Sequence, residues 1–257
     1  MSLDGFRRAH SDAFTGFDAA TATRVFATID RVGRALHFDM VGLEHLPKGP
    51  ALLVANHAFG WDAAFLMAAV WRAKEQPLWA LGEHLWWRVP FLRRVAAACG
   101  TVDGTQENID RLLEREQFVL VLPGGLREAV KPATLRYRLL WGHRFGFVRA
   151  AIRHGASVVP VASVGSDELF DFMGNAYERG RRWTGYRIPV PLPSRILPLP
   201  HLTSLRFIVG KPIPPPTAVE GPGEHEVLER FRREIAGALH ELIDNELARR
   251  AGIDLGL

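Results

Sequence analysis

Apolar positions along this chain follow two rhythms. Val25, Ile29, Val32 and Leu36 recur at three- and four-residue intervals between polar neighbours, which predicts an amphipathic helix over residues 20–36 that packs on the core. Leu228, Phe231, Ile235, Leu239 and Leu242 repeat that spacing near the other end and predict a second such helix, also for core packing. Between them lie continuous apolar runs of strand length: LLV at 52–54, FVLVLP at 118–123 and SVVPVASV at 157–164. Runs without polar alternation predict strands buried on both faces. PLWALG at 77–82 and the stretch 205–210 read as further strands, FDMVGLEHLPKGP at 38–50 as a short strand and turn, and 100–104 as a turn.

Helical stretches separate the strands. AAFLMAAVW follows Asp62 without a breaker, and residues 104–116 read as a capped helix with Thr105 as N-cap and Asn108 where a capping box carries Glu or Gln. Residues 137–154, YRLLWGHRFGFVRAAIRH, read as a helix with a glycine kink. Pro189, Pro191, Pro193, Pro198 and Pro200 make an extended loop, because neither a helix nor a central strand admits that spacing. The alternation predicts an α/β sandwich containing parallel strands. One domain over 1–257 is expected, with residues 1–37 as an N-terminal helical extension; no repeat or domain boundary interrupts it.

Composition narrows the picture a little. A formal charge of +4 and a pI near 9.6 make the chain mildly basic, with arginines grouped at Arg93 and Arg94 and at Arg179, Arg181 and Arg182. Anionic membranes, phosphorylated cofactors or nucleic acid would each answer that charge, and no nucleic-acid motif accompanies it. Cys99 is the only cysteine, which excludes an internal disulfide or a cysteine-built metal cluster, suits a reducing compartment, and reads as a small buried hydrophobe. The first ten residues lack the apolar core of a signal peptide, and no stretch reaches the roughly 18 uncharged apolar residues of a spanning helix. Any membrane contact is therefore expected to be peripheral. HLWWRVPFLRRVAAA at 84–98 is either an interfacial segment, with Trp86, Trp87 and Phe91 beside Arg88, Arg93 and Arg94, or a buried aromatic helix whose arginines snorkel outward.

The chemistry concentrates where the first apolar strand stops, in ALLVANHAFGWD at 51–62. His57 and Asp62 would stand roughly 140° apart on a single helix, at about 100° per residue, so they meet only if the backbone turns between them. Gly60 suits such a turn, and Asp62 lies where a helix begins. The pair reads either as a general base held by a carboxylate, or as a helix cap beside a satisfied loop histidine. No G-x-S-x-G elbow is present and Cys99 has no cue for reactivity, which favours a substrate hydroxyl as nucleophile. Gly124 and Gly125 either let backbone N–H groups approach an oxyanion or serve a tight turn, and Walker and dinucleotide glycine patterns are absent. In open α/β sheets ligands bind beyond the C-terminal strand ends, so His57 and Arg127 are expected at one rim.

These residues carry a resemblance. NHAFGWD at 56–62 resembles the N-H-x-x-x-x-D motif of the glycerolipid acyltransferase superfamily. LPGGLREA at 122–129 is similar to its third motif in the P-G-G-x-x-E-A form of the diacylglycerol-acyltransferase type-two-like branch, and YRLLWGHRFGF and VVPVASVGSDELF look like segments of the same branch. The likeness runs from about Val41 to Pro214.

It implies a mixed central sheet flanked by helices, and transfer of a fatty acyl group from acyl-CoA or acyl carrier protein to a lipid hydroxyl. No metal and no permanently bound cofactor are implied. By position His57 is the base and Asp62 its orienting acid, while Asn56, Gly124, Gly125, Arg127 and Glu128 are assigned to substrate binding, Gly125 and Leu126 also shaping the turn. For Arg127 the plain alternative is a salt bridge or carbonyl contact, and for Glu128 a favourable place at a helix N-terminus. Phosphate-accepting members carry glutamate in F-P-E-G-T-R where this chain has Gly124. With Glu128 expected to face the acceptor, that departure favours a neutral glyceride or other lipid alcohol over lysophosphatidate. A phosphatidate-forming enzyme, a non-catalytic lipid-binding protein on the same fold and a thioester hydrolase are the alternatives. The expected partners are the thioester donor, the lipid acceptor and an anionic membrane surface, with acyl carrier protein as an alternative donor and no nucleic acid; the expected place is the cytoplasmic face of a membrane.

Overall fold

The computed structural model describes residues 16–58, 61–82, 90–169, 175–184, 190, 204–217, 221 and 223–253. In chain order the elements are α1 (Ala19–Ala35), β1 (Asp39–Val41), β2 (Ala51–Ala55), α2 (Trp61–Lys74), β3 (Leu78–Gly82), α3 (Pro90–Ala98), β4 (Thr101–Asp103), α4 (Gln106–Glu114), β5 (Phe118–Val121), α5 (Gly125–Ala129), α6 (Gly146–His154), β6 (Ser157–Val164), α7 (Ser166–Leu169), α8 (Ala176–Thr184), β7 (Arg206–Val209) and α9 (Glu224–Arg250).

The strands form one seven-stranded sheet in the order β1-β7-β6-β2-β5-β3-β4. β2 is its centre. It pairs in parallel with β5, Leu53 opposite Leu120, and with β6, Leu53 opposite Val159. β6 and β7 are antiparallel, which makes the sheet mixed, as the resemblance implies.

Alternate residues of each central strand feed opposite faces, as the two-residue strand period requires. Leu52, Val54, Val119, Val121 and Val158 join Leu112, Val148, Phe231, Ile235 and Leu239 in a core under α4, α6 and α9. Ala51, Leu53, Ala55, Leu120 and Val161 join Ala22, Phe26, Phe65, Leu66 and Val70 in a second core under α1 and α2. Two covered faces explain why β2, all of it buried, reads as an unbroken apolar run.

Local caps match the sequence in part. Asp18 accepts from the Thr21 N–H at 2.7 Å to start α1, and Thr105 accepts from the Asn108 N–H at 3.2 Å to start α4. The Asn108 side chain does not return to Thr105; it donates to the Asp103 carbonyl at 2.8 Å. α6 ends at Gly155 in the left-handed region, φ 61°, where a glycine has no Cβ to strain.

Two expectations are corrected. Residues 100–104 are not a simple turn, because 101–103 form edge strand β4 beside β3. The helix expected over 137–154 exists only from Gly146. Upstream, Tyr137 has φ 62° and Gly142 φ 55°, and side-chain carboxylates rather than helical carbonyls accept the N–H groups of Tyr137 and Leu140. Gly60, the tryptophans of 84–89 and all but Val190 of the proline-rich stretch lie outside the described residues.

Candidate active site

β2 ends at Ala55, but its pairing continues through a side chain. The Asn56 amide accepts from the Ser163 N–H at 2.7 Å and donates to the Ser163 carbonyl at 2.9 Å. It behaves as one more rung of the ladder to β6 while its own backbone turns away. Asn56 is fully buried, so its amide anchors the turn and does not face a ligand.

The next residue is His57, its side chain 12% exposed. Its Nδ1 stands 2.9 Å from Asp62 Oδ2. The same oxygen accepts from the Ala58 N–H at 2.7 Å, and Oδ1 accepts from the Ala63 N–H at 2.9 Å. Asp62 is buried in the first turn of α2, where helix N–H groups favour negative charge. An ionised carboxylate only accepts, so Nδ1 carries the proton and Nε2 keeps its lone pair. Burial pulls the His57 pKa down, and Lys131 adds to that; the charge and hydrogen bond of Asp62 and the charge of Glu128 outweigh them, so the net shift is upward.

The second glycine-rich turn meets the first. Gly124 follows β5, and a Cβ built on it would come within 2.0 Å of Glu128 Oε2. Only glycine leaves room for that carboxylate to fold back over the turn. Glu128 is fully buried; its Oε1 accepts from the His57 N–H at 2.7 Å and its Oε2 from the Leu140 N–H at 2.8 Å. Burial raises its pKa, against the pull of Lys131 and the two N–H donors. The expectation that this carboxylate faces an acceptor is therefore corrected: both oxygens are committed to backbone. Gly125, at φ 52°, turns the chain into α5. Arg127, one residue from Glu128 and roughly 100° around the helix, is exposed, with no ion pair or hydrogen bond among the described residues.

Lys131, Tyr137, Asp167 and Glu168 were not singled out as functional residues by sequence reasoning. The buried Lys131 Nζ donates to the His57 carbonyl at 3.0 Å and to Asp167 Oδ1 at 2.8 Å. Asp167 Oδ2 accepts from the Tyr137 N–H at 2.6 Å. The Tyr137 hydroxyl donates to the Glu168 carboxylate and accepts from the Gly165 N–H at 2.9 Å. No regular spacing joins these residues, and the one available signal was polar side chains placed just after a buried strand. Cys99 is buried, and burial pushes its thiol up to about 11, which keeps it protonated at neutral pH.

A central strand of a mixed α/β sheet thus ends in a carboxylate-held imidazole with a second glycine turn locked beside it, an arrangement able to accept a proton at Nε2. The chain belongs to the diacylglycerol acyltransferase family, whose sequence profile matches residues 43–188, more than half of its length. It is 26% identical over 215 residues to a chicken "DGAT1/2-independent enzyme synthesizing storage lipids", covering 82% of this chain and 62% of that protein. It is 29% identical over 180 residues to mouse "Acyl-CoA wax alcohol acyltransferase 2", covering 64% and 53%. The chain thus spans less than two thirds of the length of these relatives. The crystal structure of a 1-acyl-sn-glycerophosphate acyltransferase from Thermotoga maritima superposes with a TM-score of 0.49 at 17% identity, covering 83% of this chain and 80% of that one.

Proposed function

We propose that this chain is an O-acyltransferase that moves a fatty acyl group from a thioester, acyl-CoA or acyl carrier protein, to the hydroxyl of a lipid. One observation carries the reading: the 2.9 Å contact from His57 Nδ1 to Asp62, with the remaining Asp62 bonds spent on backbone N–H groups. Such a pair supplies an oriented base and stabilises the imidazolium that forms. His57 Nε2 takes the acceptor's hydroxyl proton as that oxygen bonds to the thioester carbonyl carbon. Collapse of the tetrahedral intermediate breaks the carbon–sulfur bond, and the thiolate leaves with the proton held by His57. The backbone of the 124–125 turn is the proposed source of N–H groups for the oxyanion.

For the acceptor we favour a neutral glyceride or other lipid alcohol. The support is Gly124, which brings no charge to the turn, and the likeness to relatives of which one is a wax alcohol acyltransferase and one an enzyme synthesising storage lipids. Glu128 no longer contributes to that argument. A second reading, phosphatidate formation from lysophosphatidate, draws on the exposed Arg127, since guanidinium binds phosphate in a bidentate manner. In the favoured reading Arg127 serves the diphosphate of the donor. The domain works at the cytoplasmic face of an anionic membrane, held peripherally.

The test is mass spectrometry of products from purified protein, acyl-CoA and an equimolar mixture of monoacylglycerol, fatty alcohol and lysophosphatidate in the same vesicles. Acylated neutral alcohol is expected. Phosphatidate formed about tenfold faster or more would replace the neutral reading with the second one, and free fatty acid whose yield ignores the acceptor would mark a hydrolase.

A further inference from the structure

We propose that Lys131 is a positioning residue for this site: with Glu128 it clamps the backbone on both sides of the His57 α-carbon and so holds the imidazole against Asp62. The inference rests on the acyltransferase reading only for its kinetic consequence.

The geometry is two-sided. Glu128 Oε1 holds the N–H of His57 at 2.7 Å, and Lys131 Nζ holds its carbonyl at 3.0 Å. Both come from one short segment, three residues apart, and both are buried. Each is anchored from behind. The second oxygen of Glu128 is tied to the Leu140 N–H, and Lys131 is tied to Asp167 at 2.8 Å, so neither clamp arm swings without releasing a loop as well.

A buried ammonium costs several kcal/mol to desolvate unless it is paired. Pairing to Asp167 alone would meet that need, yet Nζ also sits on the carbonyl of the one residue carrying the imidazole. Among the described residues, the ionisable groups facing His57 are Asp62 from α2, Glu128 from α5 and Lys131 just beyond α5; Asp167 faces Lys131. Glu128 and Lys131 act on the imidazole with opposite sign, the carboxylate raising its pKa and the ammonium lowering it. Lys131 thus opposes the upward push that Asp62 and Glu128 give the imidazole.

The experiment uses the full chain and two neutralising variants, Lys131→Met and Glu128→Gln, read by NMR titration of the His57 imidazole and by the pH profile of kcat/KM. Without the ammonium, His57 should titrate at higher pH and the acid limb should move the same way, because only the neutral imidazole is a base. Without the carboxylate both should move to lower pH. In each variant kcat should fall by up to about a hundredfold, the scale for a slight misplacement of a reacting group, with KM for the donor nearly unchanged. Should Lys131→Met not fold, Lys131→Met/Asp167→Asn removes the stranded buried charge and carries the same prediction. Shifts of the same sign, or no shift of His57 in either variant, would overturn the proposal. The NMR arm does not need turnover, so an inactive wild-type protein would count against the acyltransferase reading and leave this inference to the titration.

Discussion

At the scale of single residues the proposed catalysis turns on the proton at His57 Nδ1. Asp62 is already bonded to two backbone N–H groups, so it is held in place to orient the ring. Asp62→Asn would present an amide that can donate, allow the wrong tautomer, and lower kcat about 10³- to 10⁴-fold in a folded protein. The pH dependence has a defined sign. The His57 pKa is raised above its ordinary 6.5, and activity needs the deprotonated ring, so the acid limb of kcat/KM should lie above that value. In Asp62→Asn it should move down, because the main group raising it has lost its charge. A limb at or below 6.5 in the wild type would contradict this electrostatic picture. The pair was visible in the sequence as a spacing of five, but its partners were not. Contacts from His57 to Glu128 and Lys131 join positions 71 and 74 apart, and local periodicity records nothing of a polar contact over that distance.

At the scale of elements the sequence was most informative where burial is one-dimensional. β2, β5 and β6 announce themselves as apolar runs because both faces of the sheet are covered. Strand direction is another matter: apolar spacing is the same for parallel and antiparallel pairs, so a mixed sheet came only with the resemblance, and the reversal at β7 only with the structure. The 137–145 stretch failed for a related reason. Its apolar residues do point into the core, Trp141 and Phe145 among them, but the N–H groups of Tyr137 and Leu140 are claimed by Asp167 and Glu128. The turn from β5 into α5 offers the sharpest test at this scale. A methyl at position 124 would come within 2.0 Å of Glu128 Oε2 and expel that carboxylate, leaving the His57 and Leu140 N–H groups unpaired. Gly124→Ala is therefore expected to cost about 2–4 kcal/mol, combining overpacking with unsatisfied donors. Urea unfolding should show a lower midpoint at unchanged slope. An unchanged midpoint would mean that the carboxylate is not wedged as described.

At the scale of the whole molecule, charge and hydropathy decide how a lipid is reached. Among the described residues no helix is long and apolar enough to cross a membrane, and the formal charge is +4. Peripheral docking on anionic vesicles is expected, with flotation that weakens as salt rises, because each basic group near the surface contributes about 1 kcal/mol that ions screen. Flotation that survives a high-salt wash would contradict an electrostatic mode. The mixed sheet brings the ends of β2, β5 and β6 to one edge, and the central claim is that this edge performs acyl transfer with His57 as base. The most direct measurement compares wild type and His57→Ala, each shown to be folded, in acyl-CoA with a neutral lipid alcohol, following ester and free thiol by mass spectrometry. Ester and thiol are expected in equal amounts from the wild type, and neither from the variant. Ester formed at the wild-type rate by folded His57→Ala would contradict it.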